Sequence, residues 1–404
     1  LGLLVLFGAT VAQAGYLTPG LDSQLRTLDG DDTIKVLVVM SEQTDITTLD
    51  WDLHNAKAAL DVRHQVVLET LQERATRTQA DLLASLEADK ANGRILGFTP
   101  HWIVNAVVVT GTADAIRELA ARPDVERIEA DLIVELIEPI QSDKEIPADR
   151  DSRGIGMTPG VRAVKAPEVW NDLGIDGAGV IVGILDTGVD GNHPALADRW
   201  HGNFAPAAEC WLDAANLGDP SFPADRHYHG THVMGTITGL APDDTIGVAP
   251  GATWIATNVI NMSAGPDFDN AVIASLEFMA DPDGDPLTTD DLPAVVQNSW
   301  GVHEGFTGYY DCDSRWWDAL DATEAAGVCL TWSAGNEGPG SESLRSPADR
   351  AASPTNCFSV GSTLPTAPYE ISSFSSRGPS GCGGEFAMKP EISAPGSDIY
   401  SAEP

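Results

Sequence analysis

Apolar and polar positions along this chain fall into two textures. In the first, residues 34–40 (IKVLVVM) form a β-branched run that reads as a strand. Over 55–91, Leu60, Val67, Leu71, Leu82 and Leu86 recur at spacings of 7, 4, 11 and 4, which puts them on one face of a long amphipathic helix. A second strand is expected at 103–110 (IVNAVVVT), a short helix at 112–121 with Thr112 as its N-cap, and a third strand near 125–130. This alternation over 33–135 predicts a small α+β, ferredoxin-like domain. Residues 136–160 then read as an exposed linker, because 139–160 mixes Pro, Gly and charge in the way that invites proteolysis.

From 161 to 404 the pattern changes. Apolar runs at 180–185 (VIVGIL), 253–260, 294–297, 328–333 and 357–362 are near-continuous in Val, Ile and Leu instead of alternating with polar residues. Strands buried on both faces of a parallel sheet look like this, so an α/β, doubly wound, mostly parallel domain is expected. In such sheets the ligand crevice lies at the carboxyl ends of the strands. Three of the runs end in polar residues: Asp186 after VIVGIL, Ser299 and Trp300 after AVVQN, and Asn336 after VCLTWSAG.

Charge narrows the partners. The 404 residues carry 60 acidic and 23 basic side chains, a net charge of -37. Residues 151–404 alone carry 35 acidic against 10 basic, so the excess belongs to the folded body. Such a surface repels phosphate backbones and argues against nucleic acid as a partner. The opening LGLLVLFGATVAQA has the apolar core and small-residue end of a secretory signal, with cleavage expected after Ala14. It is too short for a stable membrane span. A secreted protein is therefore expected, and the lack of Met at position 1 suggests that the start is clipped. Export permits disulfides among Cys210, Cys312, Cys329, Cys357 and Cys382, but their pairing is not legible.

Taken singly, the polar groups have ordinary readings. Asp186 in DTG could cap its own turn, His229 in HYHGTH could be a satisfied core residue, and Asn336 in SAGNEG could sit in a Gly-rich turn. The functional readings are sharper. A carboxylate after buried residues needs a donor partner. A His at a helix start faces the positive dipole end, which favours the neutral base form. An Asn amide can donate to a developing oxyanion.

In chain order, the motifs Asp-Thr-Gly, His-Gly-Thr-His-Val-x-Gly, Asn-Ser-x-Gly and Ser-Ala-Gly-Asn-Glu-Gly resemble the subtilisin family of serine proteases. The likeness covers about 161–404 and runs on through SSFSSRGPS and KPEISAPG; over 294–396 it is similar to the bacillopeptidase F-like branch. The resemblance implies that Asp186 orients the imidazole, His229 is base and then acid, and Asn336 is the oxyanion donor. It implies that Ser299, Trp300 and Gly301, with Ser333, Ala334 and Gly335, hold a polypeptide substrate as an added strand, with bulky Trp300 shaping the pocket wall. It implies no cofactor for the chemistry and a monomer. Residues 33–135 are similar to inhibitor-type propeptides, which assist folding and occupy the cleft of the zymogen.

The likeness also implies a nucleophile in a Gly-Thr-Ser-Met-Ala type segment shortly after Ala-Pro-Gly. No such segment occurs up to Pro404, so the nucleophilic Ser is expected beyond residue 404 and this stretch alone is expected to be inactive. Ser375 and Ser376 match a structural stretch of the family. Two other readings stay open: a non-catalytic secreted binding domain on a decayed protease fold, and a zinc hydrolase using His227, His229 and His232. Asp281, Asp283 and Asp285 form a candidate structural calcium loop, set against a solvated acidic loop.

Overall fold

The computed structural model describes residues 15–132, 149–150, 156–242, 244–260, 267–303, 312–383 and 385–404. The expected signal, 1–14, and most of the expected linker lie outside them. The chain divides into two compact units: up to Thr44 together with Gln72–Asp131, and Asp45–Leu71 together with Leu132–Pro404.

The first unit holds strands β1 (Tyr16–Leu17), β2 (Thr33–Met40), β3 (Ile95–His101), β4 (Ala106–Thr112) and β5 (Val125–Ala130) in the order β1-β5-β2-β4-β3. Within it, β5-β2-β4-β3 is antiparallel throughout, and β1 adds in parallel at the β5 edge. That is the expected ferredoxin-like arrangement. Val36, Val38 and Met40 of β2 share one face by the strand period of two and bury against Leu82 and Leu86. Helix α1 (Pro19–Leu25) inserts Leu21 and Leu25 into the same core, so this domain begins well before residue 33. The unforeseen β3 contains Gly97 and Pro100, which mask a strand signal, and it stands at the sheet edge where a Pro costs no ladder bond. The helix expected over 55–91 is present as α3 (Leu60–Ala91); the preceding α2 (Ile46–Asn55), part of the second unit, was not foreseen, and Lys57 between the two takes a left-handed φ of 53°. Helix α4 (Ala113–Leu119) starts as expected, with the Thr112 hydroxyl accepting from Ala115 N.

The second unit adds, in chain order, β6 (Asp149–Arg150), β7 (Gly156–Met157), α5 (Pro159–Ala163), α6 (Ala166–Glu168), β8 (Ile181–Asp186), β9 (Trp211–Leu212), α7 (His229–Thr238), β10 (Leu240–Ala241), β11 (Asp244–Thr245), β12 (Thr253–Asn258), α8 (Phe268–Ala280), β13 (Val295–Asn298), α9 (Trp317–Ala326), β14 (Cys329–Ser333), β15 (Phe358–Thr363) and β16 (Ile392–Pro395). Its main sheet runs β16-β15-β14-β13-β8-β12-β9, and every pairing is parallel. All six residues of β8 are buried, as the unbroken VIVGIL texture requires. Against α9 lies the arm 45–71, where His64 is buried with Nδ1 3.2 Å from Ala326 O and Arg63 donates to Ala325 O. One disulfide, Cys312–Cys382, joins positions 70 apart, while Cys210, Cys329 and Cys357 are free.

Near the end of α9 a polar knot carries a pH dependence. Burial pushes the Glu324 carboxyl up to about 7, against the opposing pull of its Asn356 hydrogen bond. A folded pKa above the ordinary value of 4.5 means that stability is greatest below 4.5 and is lost as pH rises through 7. Glu324→Gln is therefore expected to leave thermal stability near pH 4.5 little changed and to raise Tm by about 2–4 °C at pH 8. Equal shifts at both pH values would contradict a buried, proton-holding carboxyl.

Candidate active site

Parallel pairing delivers the key residues to one edge. Leu185, Asn298 and Trp332 occupy one row across β8, β13 and β14, so the next residue of each strand, Asp186, Ser299 and Ser333, forms the following row. The Asp186 carboxylate is fully buried, and its Oδ1 lies 2.6 Å from His229 Nδ1 and 2.8 Å from the donating Thr187 N. Its Oδ2 is buried and meets no hydrogen-bond partner among the described residues. A carboxylate facing Nδ1 fixes the proton there and leaves Nε2 as the acceptor. The His229 side chain is 20% exposed, so the imidazole reaches from the buried acid toward solvent.

Burial and the Arg345 cation push the His229 imidazole down, but the Asp186 and Asp225 carboxylates outweigh them and hold its pKa above the ordinary 6.5. The expectation that the helix start would favour the neutral form is thus corrected: a full charge at 2.6 Å outweighs a screened partial dipole.

His229 is the first residue of α7, and the start of that helix is fastened by groups far apart in sequence. Asp225 Oδ2 accepts from both N and Oγ1 of Thr231, and Asp225 Oδ1 accepts from Thr187 Oγ1 and His227 N. Thr187 Oγ1 in turn accepts from Gly230 N. Orphan donors of the helix are thereby met by Thr187, in the loop that follows Asp186, and by Asp225, just before the helix. Gly230 has to be glycine because a Cβ there would overlap Gly188 O, while Gly188 itself sits at φ 103° with no room beside Ala224 O. Asp225 was not foreseen; an Asp shortly before a helix start with Thr inside its first turn is the signal that could have found it.

Asn336 follows β14, half-buried, and its side-chain amide bonds to no described residue. Its backbone N donates to Glu337 Oε2 at 2.9 Å. Glu337 is clamped by Arg345, whose Nε and Nη2 reach it at 2.5–3.0 Å, and by Ser376, whose hydroxyl donates to Oε2 and accepts from Glu337 N. The clamp overcomes burial and holds the Glu337 carboxyl below its usual range. Ser376 and Ser375 are buried and bonded, Ser375 Oγ accepting from Ser362 N. Gly335 takes φ 113°, and its carbonyl accepts from Ser376 N.

Ser299 Oγ accepts from Gln297 Nε2, whereas the backbone groups of Trp300 and Gly301 bond to no described residue. The side chain of Trp300 departs from expectation. It is 4% exposed and packs edge-to-face on Phe268, Trp316 and Trp332, with centroids 4.9–5.6 Å apart. Its ring is core, not pocket wall, because three aromatic neighbours offer a better apolar surface than a solvated cleft.

The zinc reading finds no such convergence. His227 stacks on Tyr228 and accepts from His229 N, His229 Nδ1 is committed to Asp186, and burial lowers His232. Among the described residues, Cys312, Asp349 and Cys382 are the one set of three potential ligands within 4.8 Å, and its two sulfurs are bonded to each other. In the acidic loop, Asp283 and Asp285 turn their carboxylates on the loop itself: Asp285 N and Thr288 Oγ1 donate to Asp283, and Leu287 N donates to Asp285. Asp281, at the end of α8, donates its N to Glu277 O.

The sequence profile described as the Subtilase family matches residues 177–403. Bacillopeptidase F of Bacillus subtilis (strain 168) is 33% identical over 363 residues, 85% of this chain and 24% of its own length. Minor extracellular protease Vpr of the same strain is 30% identical over 57% of this chain and 26% of Vpr. Subtilisin E, also from that strain, is 28% identical over 74% of this chain and 64% of its own. The chain thus spans about a quarter of the length of the two larger relatives. Among solved structures, the S41 psychrophilic protease shares 25% identity over 60% of this chain and 74% of its own, with a TM-score of 0.44. With the matched profile extending over the sheet that carries Asp186, His229 and Asn336, the chain belongs to the subtilase family of serine proteases.

Proposed function

We propose that the full-length protein carrying this chain is a secreted serine endopeptidase that cuts polypeptides through an acyl-enzyme. The observation that carries this reading is the 2.6 Å pairing of buried Asp186 with the part-exposed His229 at the carboxyl edge of a parallel sheet. In this mechanism a Ser beyond residue 404 attacks the scissile carbonyl while His229 Nε2 removes its proton. The unbonded amide of Asn336 donates to the oxyanion. His229 then returns the proton to the leaving amine, and water releases the acyl group by the reverse sequence. Asp186 keeps the proton on Nδ1 and stabilises the imidazolium. The free backbone of Trp300 and Gly301 on one side, and Ser299 and the segment Ser333–Ala334–Gly335 around it, offer an edge on which an extended substrate adds as a strand. The chemistry requires no cofactor. The ferredoxin-like unit serves as the propeptide of a monomeric zymogen and inhibits its own protease until cleaved from it.

Casein hydrolysis by the full-length protein, titrated with a fluorophosphonate, tests this reading. Activity should vanish in step with covalent labelling; activity that resists labelling but is lost to a chelator would overturn it. Asn336→Ala should lower kcat by about 10²–10³-fold with little change in KM, the range found for the oxyanion-hole asparagine of subtilisin.

A further inference from the structure

Arg345 runs between the two segments to which substrate binding is assigned. A Cβ on Gly301 would stand 2.7 Å from Arg345 Cβ and 3.2 Å from its Cδ, and a Cβ on Gly335 would stand 3.0 Å from its Cγ. Backbone bonds fix it there: Arg345 N donates to Ala334 O, and Ser346 and Val302 exchange N–H···O bonds of 2.9 Å. The side chain is only 5% exposed, yet its cation acts on the His229 imidazole. Arg345 thus packs against the backbone of both segments, within electrostatic reach of the catalytic base.

The hydrogen-bond inventory around Arg345 is lopsided. Glu337 is saturated: Oε1 accepts from Arg345 Nε and Nη2, and Oε2 accepts from Arg345 Nε, Asn336 N and Ser376 Oγ. Arg345 is not. Of its five N–H groups, Nε–H and one on Nη2 are spent on Glu337, and Nη1 meets no described partner. A cationic side chain entering here would meet a guanidinium and a carboxylate with no lone pair to spare. An apolar one would strip water from unpaired N–H groups and leave them unpaired. A side chain ending in acceptor oxygens fits the vacant donors.

We propose that Arg345 determines specificity and that the protein cleaves after residues (P1) whose side chains end in acceptor oxygens, glutamate first and glutamine second. This rests on the protease reading above. The test uses the full-length protein and chromogenic peptides that differ only in P1: Glu, Gln, Leu, Phe or Lys. A site built to bond its ligand discriminates strongly against analogues that lack the bonding atoms, so kcat/KM for Glu should exceed that for Leu and Phe by about 10⁴-fold, and that for Lys by more. Arg345→Met should reverse the order of Glu and Leu, and Arg345→Lys should keep Glu ahead by a reduced ratio. A wild-type preference for Leu, Phe or Lys overturns the proposal without any variant having to fold. Cleavage of none of the peptides, together with no fluorophosphonate labelling, would instead overturn the protease reading on which it stands.

Discussion

Replacing His229 with Ala in the full-length protein should abolish casein hydrolysis, with kcat falling by about a millionfold, the magnitude known for losing one member of such a triad in subtilisin. The size follows from geometry. His229 is the group that joins the buried carboxylate to the surface: Nδ1 is 2.6 Å from Asp186 Oδ1, and the ring's other nitrogen is the one left to move protons. No nearby group can substitute, since His227 is stacked on Tyr228 and Ser376 is bonded at both its donor and its acceptor sites. The fold should tolerate the change, because the helix start is fastened by Asp225 and Thr187 and not by the imidazole. Circular dichroism should therefore match the parent while the rate collapses, and Tm should fall, because the buried Asp186 carboxylate keeps, among the described residues, only its bond from Thr187 N. Casein hydrolysis and self-cleavage that persist at the parental rate would remove His229 from the mechanism.

Legibility in the sequence followed the range of the interactions. Asp186, His229 and Asn336 could be found because each stands directly after an unbroken apolar run or at a Gly-flanked helix start, features set by neighbours within ten residues. Parallel register then aligns Asp186, Ser299 and Ser333 without further information. Asp225, Glu337 and Arg345 were not found, and the reason is physical. Acidic and basic residues in a chain with 60 carboxylates carry no local mark, and their roles depend on partners such as Thr187 and Gly301, 38 and 44 positions away respectively. The same holds for Trp300, whose direction is decided by Phe268, Trp316 and Trp332. The helical periodicity of 55–91 was correct, since Leu60 to Leu86 all lie within α3, but α2 just before it was missed, because its Thr- and Asp-rich sequence buries only Ile46 and so shows no apolar stripe.

Asp186→Asn should cost about 10⁴ in kcat, as the equivalent change does in other Ser-His-Asp enzymes, and it should also move the pH profile in a direction fixed by charge. In the parent, burial and Arg345 depress the His229 imidazole, and Asp186 and Asp225 raise it above 6.5 on balance. Activity needs the neutral ring, so the acid limb of kcat/KM in the parent should have its midpoint above 6.5. An Asn can still accept from Thr187 N, which preserves the turn, but it brings no charge and can donate to Nδ1, stabilising the wrong tautomer. With the largest raising influence gone, burial and Arg345 act against Asp225 alone, and the midpoint should fall below that of the parent. Loss of rate with an unmoved acid limb would mean that Asp186 acts only as a prop for the ring. A fall in both assigns it the electrostatic role, since no steric defect lowers the proton affinity of an imidazole by removing a negative charge 2.6 Å away.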